Sequence, residues 1–330
     1  MSELRQDLAS GAWIILAPGR AKRPNFLKKK KTQRKVAPKK DCPFEDLKKS
    51  DNWPPILAYP NEKSWKMVLV RNKYPALSHL EGCAVSFKHG PYSAKTGNGE
   101  HDLIITRNHY KNFADLSLAD ATDLLKMIQE RYKMYANDTC NVYASSFFNW
   151  GQGAGASIYH PHYQLLALPI IPPSVENSLR GAANFYHKHK KCVRCVTIAS
   201  DIRDGKRIIE QDKYSVAMTP FISRSPLEVR IYPKRHLPEF SKTPLIELRS
   251  MAGTLQSVLR RVKKYLGDPD FNFFIHSAPL KNAGNYRFHH WHMEVIPKIT
   301  TLGGFELSTG IEINVVDPDV AAAILKGKKI

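Results

Sequence analysis

The sequence predicts an α+β fold made of two tandem repeats, each an antiparallel sheet backed by one long helix. Three observations lead there: two long amphipathic helical stretches, a strand-like run and an HxH segment after each of them, and matching signals before each of them. The 330 residues divide on this reading into 1–175 and 176–330, each of ordinary domain size.

The first helix is read over 117–135 (SLADATDLLKMIQERYKMY). There Leu118, Ala121, Leu125, Ile128, Tyr132 and Tyr135 share one face, with Ser117 as a natural N-cap. The second is read over 243–266, with Leu245, Leu248, Ala252, Leu255, Leu259 and Val262 on one face. Thr243 is its cap and Pro244 its first helical residue. Both apolar faces read as core. NVYASSFFNW and then HPHYQLLALP follow the first helix, while FNFFIHSAP and then HHWHMEVIP follow the second. NKYPAL and NHYKNF precede the first helix, and DKYSVA and RHLPEF precede the second. Cys42 stands before one set and the Cys192/Cys195 pair before the other. His109 lies 51 residues before His160, and His236 lies 54 before His290. A shared order of Cys, x-K-Y, His, helix and HxH identifies an internal duplication.

With 42% hydrophobic and 10% aromatic residues, the composition is that of a globular protein. No stretch reads as a signal peptide or a bilayer span, so a cytoplasmic protein without a membrane partner is expected. The formal charge is +20, and eleven Lys or Arg residues without one acid crowd between Arg20 and Lys40. Like charges repel, so this segment reads as a solvated loop. Nucleic-acid binding through residues 20–40 is the alternative, but no interleaved aromatics or groove-reading motif accompany the run. Five cysteines, an odd number in an intracellular context, argue against a disulfide framework.

The chemistry concentrates at His160-Pro161-His162-Tyr163-Gln164. On a strand, residues two apart share a face, so His160, His162 and Gln164 point the same way. Pro161 confines such a strand to an edge or an irregular position. Just upstream, Gly151-Gln152-Gly153-Ala154-Gly155-Ala156-Ser157 allows backbone N–H groups to approach phosphate oxygens closely. A neutral imidazole beside such a loop can attack phosphorus near pH 7 and leave again readily. An isolated HxH is more simply a hydrogen-bonded pair on a polar face; the loop, the Gln and the duplication favour the nucleophile. Cys192, Cys195, His236 and His290 supply two thiolates and two imidazoles, suited to tetrahedral zinc. Cys42, Glu45, His109 and His160 form the corresponding set, with a harder carboxylate in place of one thiolate. In WIILAPGRAKRP, from Trp13 to Pro24, Arg20 and Arg23 stand three apart, a spacing that can grip a fixed anionic group.

These segments together resemble the galactose-1-phosphate uridylyltransferase family of the histidine-triad superfamily. The motifs are WIILAPGRAKRP, the CPF at Cys42, RNKYPAL from Arg71, NWGQGAGASIYHPHYQ from Asn149, FHHWHMEVIPK from Phe288 and GGFELSTGIEIN from Gly303. The resemblance implies two histidine-triad-like repeats and a homodimer with residues shared across the interface. It implies that His162 takes the nucleotide of a nucleotide sugar as a covalent intermediate, then passes it to a sugar 1-phosphate. Gln164, Ser157 and Gly155 would hold the non-bridging oxygens. Phe44, Asn72, Tyr74 and Asn149 would contact the nucleoside or its phosphates, and Arg20 and Arg23 the substrate phosphates. His160 would be a zinc ligand that fixes the strand bearing His162. In related hydrolases of the superfamily a third His occupies the Gln position, so Gln164 would favour transfer over hydrolysis. Glu45 departs from a second cysteine common in the family. Some relatives instead use a Glu and three histidines in the second repeat, which would here involve His276, His290 and His292; the cysteine pair favours the zinc set above. The activity so implied is UDP-glucose:hexose-1-phosphate uridylyl transfer. A nucleotide-sugar or dinucleotide phosphorylase acting through the same histidine is the alternative.

Overall fold

The computed structural model describes residues 2–22 and 36–328. Ten strands form one antiparallel sheet. Separate from it are a small three-stranded sheet of β1 (Glu3–Gln6), β2 (Trp13–Leu16) and β15 (Glu312–Asn314), and a hairpin of β5 (Ser86–His89) and β6 (Tyr92–Lys95). The first half of the large sheet contains β3 (Leu57–Tyr59), β4 (Met67–Arg71), β7 (Glu100–Thr106), β8 (Tyr143–Trp150) and β9 (His162–Leu168). The second contains β10 (Ile208–Gln211), β11 (Ser215–Met218), β12 (Val229–Pro233), β13 (Phe271–His276) and β14 (His292–Pro297). Read outward from the centre, one half runs β8-β9-β7-β4-β3 and the other β13-β14-β12-β11-β10. The order is the same, so the duplication visible in the sequence is a duplication of topology. The halves join where β8 pairs with β13, with Phe148 opposite Phe273.

The long helices α1 (Leu118–Asn137) and α4 (Leu245–Leu266) cover one face of this sheet. Alternate strand residues face them: Phe148 and Trp150 on β8, Tyr163, Leu165 and Ala167 on β9, Phe271, Phe273 and Ile275 on β13, and Met293 and Val295 on β14. Each such fully buried large side chain contributes about 1.5–3 kcal/mol. Two glutamines tie the repeats reciprocally. Gln129 of α1 donates to the carbonyls of Phe240 and Thr243 in the second repeat, and Gln256 of α4 donates to those of Phe113 and Leu116 in the first. Phe113 and Phe240 close the NHYKNF and RHLPEF segments, so the matching signals before each helix serve as partners for the opposite helix.

Among the described residues there are four shorter α-helices: α2 (Pro173–His189), α3 (Val193–Asp204), α5 (Gly304–Thr309) and α6 (Pro318–Leu325). Residues 175 and 176 fall in the first turn of α2. Among the described residues no helix is long and apolar enough to cross a membrane.

Local expectations need correction at four places. Ser117 caps α1 by accepting from the Asp120 N–H, but Thr243 does not cap α4; its N–H closes a preceding 3-10 turn onto Phe240, and Pro244 takes the cap position. Leu245 lies at the outer edge of the helix start and is 59% exposed, although its spacing fits the core stripe. Pro161 does not confine its strand to an edge. It stands just before β9, which is central, between β7 and β8, so no ladder bond is lost. Finally, Cys83 and Cys140 form a disulfide across 57 residues of chain. Cysteine parity could not show that the loop after β4 returns to the end of α1. Cys42, Cys192 and Cys195 are free thiols.

Candidate active site and metal centres

The face of the sheet turned away from α1 and α4 carries the chemistry; over the second repeat α3 packs on it, with Ile198 against Val216, Met218 and Tyr232. On β9, Tyr163 and Leu165 point to the helices, so His162 and Gln164 point away from them. On β7, Asp102 faces α1, where it accepts from Arg131 Nε (2.7 Å) and the Tyr135 hydroxyl (2.6 Å), leaving His101 and Leu103 on the face of His162. A small apolar cluster of Phe44, Leu47, Val68, Val70, Leu103 and Ile105 floors this side. Phe44 presents its ring edge-on to His162 at 5.3 Å and to His160 at 5.8 Å.

His162 is buried, and its Nδ1–H donates to the carbonyl of His160 (2.9 Å). That bond fixes the tautomer, so Nε2 keeps its lone pair. Burial pushes the imidazole below its ordinary pKa, with the neighbouring His101 acting in the same direction. A neutral, oriented imidazole is what nucleophilic attack on phosphorus requires.

The glycine loop leaves β8 and folds back before β9. Gly151 and Gly155 both have φ of 90°, a conformation that suits glycine and few other residues. Asp270 accepts from the Gly153 N–H (2.6 Å), and Asn272 donates to both Asn149 Oδ1 (2.7 Å) and the carbonyl of Ala154 (2.8 Å). The second repeat therefore braces the loop of the first. Gly155 and Ser157 are exposed on this loop.

Two metal-ligand groups lie beside this face. Cys42, Glu45, His109 and His160 bring their ligand atoms within 4.8 Å of one another, as do Cys192, Cys195, His236 and His290. The Sγ–Nδ1 distances are 3.5 Å for Cys42–His160, 3.3 Å for Cys195–His236 and 3.4 Å for Cys195–His290. Tetrahedral zinc with Zn–N and Zn–S bonds of about 2.0 and 2.3 Å has N–S edges of roughly 3.5 Å, so both groups fit that ion. All four histidines offer Nδ1 inward and tie Nε2–H to a backbone carbonyl: His109 to Ala37, His160 to Thr106, His236 to Arg287 and His290 to Pro233. Such outer hydrogen bonds orient a metal-binding imidazole. Burial pushes His160 down to about 4, which keeps it neutral. A hydrogen bond from the Cys195 thiol holds the Cys192 thiol well below its ordinary range, with His236 and His290 acting in the same direction.

His276, His292 and Glu294 form a third close group. It does not suit a cation. Glu294 is already held by Arg230 Nε and Arg224 Nη2, each at 2.7 Å, beside His276 at 3.3 Å.

The remaining sequence-expected residues scatter. The Asn72 amide lies against the His101 ring, and Tyr74 is 81% exposed. Arg20 follows β2, whose end is bonded to Asn314 on the small sheet. Arg23 and residues 23–35 of the basic run lie outside the described residues. His101 was missed by the sequence reading. Its one signal is its place between Glu100 and Asp102, which strand alternation sends to the opposite face.

A family model described as "Domain of unknown function (DUF4921)" matches residues 86–326. ADP-glucose phosphorylase from Arabidopsis thaliana is 31% identical over 328 residues, covering 98% of this chain and 92% of that protein. Galactose-1-phosphate uridylyltransferase from Thermotoga maritima is 28% identical over 344 residues, covering 100% and 99%. The crystal structure of the Arabidopsis thaliana ADP-glucose phosphorylase with bound ADP-glucose superposes with a TM-score of 0.85 at 30% identity, over the whole of both chains. These similarities support nucleotidyl transfer on sugar phosphates. Matched by the family model over 86–326 and by these relatives over almost its whole length, the chain belongs to the galactose-1-phosphate uridylyltransferase-like family of enzymes.

Proposed function

We propose that His162 carries a nucleoside monophosphate between a nucleotide sugar and a phosphate acceptor. The observation that carries this reading is the Nδ1–H bond from His162 to the His160 carbonyl, which leaves Nε2 as a neutral nucleophile on the face of Gln164 and the glycine loop. Nε2 attacks the α-phosphorus, the bond to the bridging oxygen breaks, and the sugar 1-phosphate departs. An oxygen of the acceptor then attacks the same phosphorus, and Nε2 leaves with its lone pair restored. Gln164 and Ser157 would donate to the non-bridging oxygens, whereas the Gly155 N–H already donates to the Gln152 carbonyl (2.9 Å) and so would shape the loop around them. Phe44 and Asn149 would contact the nucleoside or its phosphates.

Zinc held by Cys42, Glu45, His109 and His160, and by Cys192, Cys195, His236 and His290, would supply rigid cross-links that tie the loop at Cys42 and the start of α3 to the ends of strands. Through His160 the first cross-link bears on the carbonyl that orients His162. In this reading residues 1–175 supply the nucleophile and residues 176–330 brace its loop. The reading includes a homodimer with residues shared across the interface, and Arg20 would grip substrate phosphate.

ADP-glucose is the first substrate in this reading, with inorganic phosphate as acceptor and ADP and glucose 1-phosphate as products. Identity of 31% across nearly the whole chain with an ADP-glucose phosphorylase supports it. UDP-glucose:hexose-1-phosphate uridylyl transfer, to which the motifs alone lead, is the second, supported by end-to-end similarity to a galactose-1-phosphate uridylyltransferase. Both substrates are offered in separate assays, one with inorganic phosphate and one with galactose 1-phosphate. ADP formed only with phosphate supports the first reading. UDP-galactose formed instead supports the second and overturns the first.

A further inference from the structure

A primary amide on an anion-binding face is ambiguous: its NH2 attracts a phosphoryl oxygen and its carbonyl oxygen repels it. Something must decide which end of Gln164 faces the substrate. The side-chain carbonyl Oε1 of Gln164 lies 3.1 Å from His101 Nε2. His101 itself is set by the chain after β4. The backbone N–H of Ala76 donates to its Nδ1 at 3.0 Å, so Nδ1 is an acceptor and the ring proton sits on Nε2. Nε2–H therefore donates to Gln164 Oε1, and the Gln164 NH2 is turned outward.

Asn72 completes the clamp. Its Oδ1 accepts from the Tyr74 N–H (3.0 Å), so its amide nitrogen lies against the His101 ring; with Nε2 protonated it can donate only to Nδ1, 3.5 Å away, and its 3.2 Å approach to Nε2 is a contact without a hydrogen bond. Asn72 also donates its backbone N–H to the His101 carbonyl (2.9 Å). The RNKYPAL segment thus acts on the site through His101. We propose that His101 is a positioning residue that fixes the amide of Gln164 with its N–H groups toward the transferring phosphoryl group. This rests on the reading that Gln164 contacts that group. It assigns Asn72 and the Ala76 N–H to the hold on His101.

The test is single-turnover formation of the nucleotidyl adduct on the full chain, followed by intact mass with ADP-glucose and UDP-glucose in parallel. His101→Leu removes the donor and lets the amide turn. A fall of about 10–100-fold in the adduct rate is expected, with KM for the labelling nucleotide sugar changed less than about threefold. His101→Gln retains an N–H donor of similar reach and should return the rate to within about fivefold of wild type. In a Gln164→Ala background, His101→Leu should cost less than about twofold, because the two residues act as one unit. An undiminished rate in His101→Leu overturns the proposal. So does an equal loss in the Gln164→Ala background, or no recovery in a folded His101→Gln. If Gln164→Ala alone leaves the rate unchanged while His162→Ala abolishes the adduct, the assumed contact of Gln164 fails and the nucleophile reading stands. If wild type takes no label from either sugar, the nucleophile reading fails first.

Discussion

The two HxH segments occupy equivalent strands of the duplicated sheet and share their backbone device, yet their surroundings differ. His162 donates Nδ1–H to the His160 carbonyl, and His292 is joined in the same way to His290 (2.9 and 3.1 Å). Two residues on, Gln164 has its carbonyl bonded to His101 and remains partly exposed. Glu294 is 2% exposed and locked to Arg224 and Arg230. Around the rings the contrast continues: Phe44 meets His162 edge-on, whereas Tyr232 and His276 stack on His292 with centroids 5.0 and 4.7 Å away. The lesson is that the motif only sets a tautomer. Whether that histidine faces a substrate or fills a core depends on the residue two places on and on what neutralises it.

The largest expected effect separates the two histidines. His162→Ala should lower turnover at least ~10⁴-fold, as loss of a covalent nucleophile does. His292→Ala should stay within about tenfold, checked by steady-state rates on folded protein. Exchanging the second residues comes next. Gln164→Glu should cost about 10²–10³-fold in adduct rate by placing a carboxylate where a donor is needed. Glu294→Gln should instead leave adduct formation intact and lower unfolding stability by about 3–5 kcal/mol, because Arg230 loses a buried counter-charge. Urea titration of the two variants would read that contrast.

The first repeat alone carries the Cys83–Cys140 bridge. Replacing both cysteines by alanine should cost about 2–4 kcal/mol by releasing the unfolded chain, seen as a lower melting temperature. The smallest effect concerns the metal groups. Glu45→Cys should tighten zinc at the first group by at least ~10-fold, since thiolate is the softer ligand, and should leave the second unchanged. Competition with a chromogenic chelator measures both.

Much of this contrast was legible in the sequence where it rests on local period. The helix faces, the duplication and both HxH pairs follow from spacing of 3.6, of 2 and of whole repeats. The two four-ligand groups followed from residue chemistry combined with that repeat, and the fold brings each together. What stayed hidden depends on register between distant segments. His101 reaches Gln164 only because β7 pairs with β9. Arg224 and Arg230 read as ordinary charges until they meet Glu294, and the reciprocal bonds of Gln129 and Gln256 need both helices in place. Family resemblance pointed to Asn72 and Tyr74 as substrate contacts, but only coordinates show the Asn72 amide turned to an imidazole.

The most direct measurement is intact-protein mass after incubation with ADP-glucose or UDP-glucose, comparing wild type, His162→Ala and His292→Ala. The account predicts an acid-labile nucleotidyl adduct on wild type and His292→Ala and none on His162→Ala. An adduct that survives in His162→Ala, or one lost only in His292→Ala, would contradict it.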